Sequence, residues 1–121
     1  MAVKKFVPSV LLAGGLVAAS VFAAVPAQAA VSDCPSGNFC MWTATDYRGT
    51  MGKYSWHKEV LSDALRNNDE SSFNNMSSAG MELYSGSYYS GYIGCSRPKA
   101  QWRSHSPANT TESLKRVSST C

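Results

Sequence analysis

Two stretches of this chain share one spacing, and that spacing limits the fold more than any other feature. "WTATDYRG" sets Trp42, Tyr47 and Gly49 in the order aromatic-x4-aromatic-x-Gly, and "YSGSYYSG" repeats the order with Tyr84, Tyr89 and Gly91, 42 residues later. A repeat of this period implies one supersecondary unit used twice, neither copy able to bury its apolar face alone. Physically the pattern describes a hairpin folded over on itself. Its two aromatics stack at a corner, and its glycine takes a backbone shape barred to other residues.

No heptad pattern or long helical stripe accompanies the corners. Short aromatic and β-branched segments alternate with Gly, Ser and Asn, so the domain reads as all-β. The expected strands are "FCMWTA" (39–44) with "GKYSW" (52–56), "SSFNNM" (71–76), "MELYS" (81–85) with "YIGCS" (92–96), and "LKRVSS" (114–119). In "EVLSDALRN" (59–67), Val60, Leu61, Ala64 and Leu65 have helical spacing and predict a short helical turn. "QWRSHSPANTTES" (101–113) reads as a polar connection. Trp42, Tyr47, Tyr84 and Tyr89 are assigned to core and corners, and Trp56 and Trp102 to packing.

Residues 1–29 read as a secretory signal peptide. Lys4 and Lys5 precede an apolar run from Phe6 to Val25, and Ala27-Gln28-Ala29 supplies the small-x-small cleavage tripeptide. The run is nearly long enough to span a bilayer, but its alanine and glycine content and the tripeptide favour cleavage over a retained anchor. The expected product is a secreted, extracellular domain of residues 30–121, monomeric and with no membrane segment left. The full chain carries 11 Lys+Arg against 8 Asp+Glu; without Lys4 and Lys5 the balance is 9 against 8. That near-neutrality gives no electrostatic basis for nucleic acid as a partner.

A domain this small needs covalent staples. Cys34, Cys40, Cys95 and Cys121 all follow the signal, and export puts them in an oxidising compartment. Four cysteines allow three pairings. "PSGNF" between Cys34 and Cys40 is rich in turn formers, which favours Cys34–Cys40 and leaves Cys95–Cys121. In the chain-entropy model these loops contribute roughly 2.4 and roughly 3.5 kcal/mol. A zinc site using the cysteines with His57 and His105 is the alternative, but the C-x5-C spacing does not suit it.

A polar hexad follows each corner: Asn67-Asn68-Asp69-Glu70-Ser71-Ser72 and Ala108-Asn109-Thr110-Thr111-Glu112-Ser113. Corners and hexads together resemble the βγ-crystallin superfamily. Its repeat is a four-stranded Greek key with this corner, and its calcium-binding members add the hexad (Asn/Asp)-(Asn/Asp)-x-x-(Ser/Thr)-Ser. "CPSGNFCMW", the corner, "DESSFNN" and "MELYSG" in that order are similar to the secreted bacterial βγ-crystallin-type peptidase inhibitors. Known inhibitors of that family act on metalloproteinases. The resemblance implies an all-β, βγ-crystallin-like double Greek-key sandwich with two disulfides. It also implies calcium held by the carbonyl of a hexad's third residue, the side chain of its fifth, and a first-position side chain from the opposite hexad. Carried over, one site takes Asp69 and Ser71 but meets Ala108, which has no oxygen to offer. The other takes Thr110, Glu112 and Asn67. Weak extracellular affinity would suit so sparse a set of anions. Without an ion, the same residues can hold a turn by local side-chain bonds.

Three functional classes follow. The leading one is a secreted inhibitor of a peptidase, expected to be a metallopeptidase, with "SRPKAQWRSH" (96–105) as candidate inhibitory loop through Lys99, Gln101 and Arg103. The second is a calcium-binding extracellular structural or stress domain without inhibitory action. The third is an enzyme using His57, Glu59, Arg103 and His105 as acid, base and phosphate clamp. That pattern is loose, and no nucleophile motif or phosphate loop accompanies it, so the chain is not expected to be an enzyme.

Overall fold

The computed structural model describes residues 30–118 and Cys121. The expected signal peptide, 1–29, lies outside the described residues. Seven strands form among the described residues: β1 (Phe39–Ala44), β2 (Arg48–Tyr54), β3 (Ser71–Asn74), β4 (Gly80–Gly86), β5 (Ser90–Ser96), β6 (Gln101–Trp102) and β7 (Ser113–Val117). One sheet has the order β2-β1-β3-β6 and the other β5-β4-β7, every pair antiparallel.

The third strand of each repeat crosses to the opposite sheet. In the second repeat this is β6, which pairs Trp102 with Ser72 of β3. In the first it shrinks to a single bridge between Lys58 and Leu114. This exchange is the Greek-key return, and it makes neither repeat a folding unit by itself. The expected polar connection 101–113 therefore begins with a strand: Trp102 is half-buried against the core and favours a β backbone. The expected helical turn at 59–67 is reduced to one i→i−4 bond, Arg66 N–H to Ser62 O at 2.8 Å. Leu61 and Leu65 are buried at its ends, so packing and not helix extension uses their spacing.

Strand alternation places the core. Phe39 and Met41 of β1 and Met81 and Leu83 of β4 meet between the sheets with Leu61, Leu65, Met76, Ala79 and Leu114. The other face of β1 is covered as well: Cys40 and Trp42 pack with Cys34 and Tyr47, and with Val31, Met51 and Phe73 beside them. Both disulfides form as expected, Cys34–Cys40 and Cys95–Cys121, with Cα separations of 5.9 and 5.8 Å. Trp56 does not pack as expected. It is 59% exposed, with the Arg116 guanidinium over its ring.

Candidate functional site

Each corner requires two consecutive non-glycine residues in the left-handed region, Asp46 and Tyr47 (φ 58° and 60°) and Tyr88 and Tyr89 (φ 56° and 62°). Such residues cost about 1–2 kcal/mol apiece, so something must hold them. A serine does so in each repeat. Ser71 Oγ accepts the Tyr47 N–H at 3.0 Å and donates to Ala44 O at 2.7 Å. Ser113 Oγ accepts the Tyr89 N–H at 3.0 Å and donates to Gly86 O at 2.6 Å. The aromatics then meet edge to face, Trp42 with Tyr47 at 5.2 Å and Tyr84 with Tyr89 at 6.0 Å between centroids.

The outer end of the second corner carries a perturbed phenol. Burial, with the Glu82 carboxylate 2.8 Å from its hydroxyl, pushes Tyr84 up to about 12 from an ordinary 10.0. A folded value above the unfolded one means that this contribution to stability is whole below pH 10.0 and is lost as the pH rises towards about 12. Phenolate absorbance against pH is expected to show one tyrosine titrating near 12, and Glu82→Gln is expected to bring it down. An unchanged midpoint in Glu82→Gln would leave burial as the sole cause.

The polar arches that follow the corners face each other across an approximate two-fold axis. Asn67 N–H donates to Thr111 O at 2.9 Å, and Asn109 N–H to Asp69 O at 2.7 Å. Glu70 N–H donates to Trp42 O at 2.9 Å, and Glu112 N–H to Tyr84 O at 2.8 Å. With Ser71 and Ser113 locking equivalent corners, residue n of the first arch matches n + 42 of the second. The hexads as read from sequence, 67–72 and 108–113, are thus one residue out of phase. In phase with Ala108–Ser113 stands Arg66-Asn67-Asn68-Asp69-Glu70-Ser71.

This phase changes what each expected ligand does. Asp69 O is taken by Asn109 N–H, and Ser71 Oγ has given its hydrogen to the corner. Asn67 is exposed, in the left-handed region at φ 53°, with its N–H on Thr111 O. Thr110 keeps a buried hydroxyl with no partner among the described residues, an oxygen a cation could use. Glu112 is already engaged: Arg66 Nε donates to its Oε1 at 2.6 Å. No group of three or more His, Cys, Asp or Glu able to hold a metal occurs among the described residues. The arches therefore fit calcium poorly, because a fixed guanidinium occupies one half and Ala108 provides no donor in the other.

Between the arches lies a buried network that sequence reasoning did not find. The Asp69 carboxylate is 0% exposed; its Oδ1 accepts Thr111 N–H at 2.9 Å and its Oδ2 accepts Thr111 Oγ1–H at 2.8 Å. His105 Nδ1 lies 2.6 Å from Asp69 Oδ2, and His105 Nε2 lies 2.8 Å from Ser72 Oγ. Ser72, His105 and Asp69 thus follow one another as in a hydrolase triad. Ser72 is fully buried on β3, however, so no substrate carbonyl can reach it. The four residues suspected of catalysis do not converge either. His57 and Glu59 line one open hollow, His105 is buried with Asp69, and Arg103 pairs with Asp46 at 2.8 Å.

The candidate inhibitory stretch is more fixed than a free loop. Lys99, at φ 66°, donates its N–H to Asn74 O at 2.7 Å, and Ala100 N–H donates to Arg97 O at 3.0 Å, closing a tight turn. Lys99 Nζ reaches Asn75 Oδ1 at 2.6 Å, while Asn75 Nδ2 donates to Cys34 O at 2.8 Å. Asn75 therefore braces the turn and the Cys34–Cys40 ring together. Gln101 is exposed on edge strand β6, and the exposed Arg103 follows it. The asparagines 74 and 75 looked like the end of a strand in the sequence; their bracing role depends on turns that are far away along the chain.

No curated protein sequence matches the chain. Among solved structures, one from work on the evolution of the eye lens βγ-crystallin domain fold superimposes with a TM-score of 0.63 at 11% identity, covering 70% of this chain and 90% of its own. The N-terminal domain of protein S superimposes with a TM-score of 0.54 at 15% identity, covering 69% of this chain and 99% of its own. These likenesses establish the βγ-crystallin fold. Residues 27–96 match the family model of peptidase inhibitor family I36. An inhibitor family on a crystallin-like fold describes a non-enzymatic protein, and the match spans more than half of the sequence. The chain belongs to peptidase inhibitor family I36.

Proposed function

We propose that the protein is a secreted inhibitor of a metallopeptidase that meets its target through the turn Arg97–Ala100 with Gln101 and Arg103. Family membership supplies the partner class, a peptidase. The finer choice of a metallopeptidase rests on the similarity to secreted bacterial inhibitors. Secretion is supported by the apolar run and cleavage tripeptide before Ala30, and by two disulfides of a kind that persists in oxidising compartments.

The observation that carries the reading is a turn exposed at Arg97 and Lys99 and fixed at its base. Four neighbours hold it: Asn74, Asn75, strand β6 and the Cys95–Cys121 disulfide. A segment already in its bound shape loses little entropy on docking, which leaves more of the contact energy as affinity. A frame that keeps both ends in place also makes cleavage of the turn slow or reversible.

The test is titration of secreted metallo-, serine and cysteine peptidases with the purified protein. Stoichiometric, reversible inhibition of a metallopeptidase is expected, with no hydrolysis by the protein itself. Lys99→Ala, Gln101→Ala and Arg103→Ala are each expected to weaken inhibition by about tenfold, equivalent to about 1.4 kcal/mol. Their melting temperatures should stay within about 4 °C of the parent, as expected for surface positions. Normal inhibition by all three would remove the loop assignment and keep the inhibitor reading. Failure against every class, together with calcium binding, would favour an extracellular structural domain instead.

A further inference from the structure

The two arches are equivalent in backbone but not in where they carry charge: Arg66 matches Ala108, and the buried Asp69 matches Thr111. Glu70 and Glu112 occupy matching positions, each donating its N–H to the first aromatic of its own corner, Trp42 and Tyr84. Glu112 faces Arg66 across the axis, with Nε to Oε1 at 2.6 Å. The residue that would face Glu70 in the same way is Ala108, and among the described residues Glu70 has no ion-pair partner.

We propose that Arg66 is a built-in cation, standing between the arches where calcium-binding members of this fold would place a metal ion, so that the domain is stable without calcium. The proposal is independent of the inhibitor reading. Charge argues for it. A guanidinium stays protonated at any physiological pH and delivers its charge through a directed bond, so the Glu112 half has its cation at all times. A divalent ion approaching Glu112 would meet that positive charge at close range, and water screens the repulsion only in part because the glutamate side chain is 18% exposed. Attachment to the chain argues for it too. A bound ion stabilises only as far as its free concentration exceeds its dissociation constant, whereas Arg66 is always present. The Glu70 half gains no substitute ligand, since Ala108 places a methyl group where an oxygen would be needed.

Thermal unfolding of the purified protein, in chelator and in millimolar calcium, tests this. The parent is expected to melt at the same temperature in both, and calorimetric titration with calcium chloride should show no binding heat. Arg66→Gln should melt lower by roughly 2–6 °C in either condition, the scale of one partly exposed ion pair. Arg66→Asp should melt lower still in chelator, with two carboxylates opposed, and recover several degrees in calcium as those carboxylates become ligands. Arg66→Lys should keep most of the parent's stability without calcium. A parent whose melting temperature rises in calcium overturns the proposal. So does an Arg66→Gln protein as stable as the parent, or an Arg66→Asp protein that calcium does not restore. Should Arg66→Asp fail to fold, the parent and Arg66→Gln still decide the matter.

Discussion

Asp69→Ala is expected to destabilise the domain by about 3–5 kcal/mol, the range for removing one partner of a buried, hydrogen-bonded ionic group. The residue is 0% exposed, and its two oxygens hold the Thr111 backbone, the Thr111 hydroxyl and the His105 ring. Truncation would leave the Thr111 N–H, the Thr111 hydroxyl and His105 Nδ1 without their partner at a buried site, and each orphaned group costs about 1–3 kcal/mol. Neither repeat can absorb the loss alone, because Asp69 belongs to the first repeat while Thr111 and His105 belong to the second. Asp69→Asn separates charge from shape. It keeps an acceptor for Thr111 N–H but can turn an amide towards His105, so an intermediate loss is expected. Urea unfolding at neutral pH measures both; on the scale of about 4–8 °C per kcal/mol, Asp69→Ala should melt at least about 12 °C below the parent. A loss under about 1 kcal/mol would mean that ordered water satisfies the three groups, and that the network is ornamental to stability.

The contrast between this network and the corners shows where sequence reasoning reaches and where it stops. The corners were legible because their chemistry is local: an aromatic, a second aromatic and a glycine at fixed spacing define one hairpin fold. The Cys34–Cys40 ring was legible for the same reason, a short loop of turn formers. The hexads were legible in composition but not in phase. Aligning them on their asparagines slipped one window by a residue. The offset of 42 already present in the corners would have paired Ser71 with Ser113 and Arg66 with Ala108. Arg66 then stands out as the one charged residue of the first arch whose counterpart has no polar side chain at all. Asp69, His105 and Ser72 gave no such signal. They are 33 to 36 residues apart along the chain where they bond, and only the crossing of β6 to the first sheet brings them together. Strand exchange of that kind leaves no periodicity to read. Trp56 failed for a related reason: an aromatic at the end of a strand pattern can face either way, and here it lies 59% exposed beneath the Arg116 guanidinium.

Trp42→Ala is expected to cost about 3–5 kcal/mol, the usual range for truncating a large core aromatic. Its counterpart Tyr84→Ala should cost only about 1–2 kcal/mol. The two residues hold the same place in the same repeated motif, so the motif alone would give them equal weight. What differs is what lies outside each sheet. The Cys34–Cys40 ring and Val31 close over Trp42, which is 0% exposed, while Tyr84 on the outer face of β4 stays half-buried against the rings of Tyr89 and the exposed Tyr92. The amino-terminal staple therefore turns one of two equivalent corners into a second core. Trp42→Phe tests the same point more gently. Trp42 Nε1 has no hydrogen-bond partner among the described residues, so phenylalanine removes an unsatisfied donor while it gives up volume, and a change of about 1 kcal/mol or less is expected. Denaturant unfolding of the three variants gives the order. Equal losses for Trp42→Ala and Tyr84→Ala would show that the ring contributes no burial of its own. A large loss in Trp42→Phe would show that shape in this second core outweighs the orphaned indole.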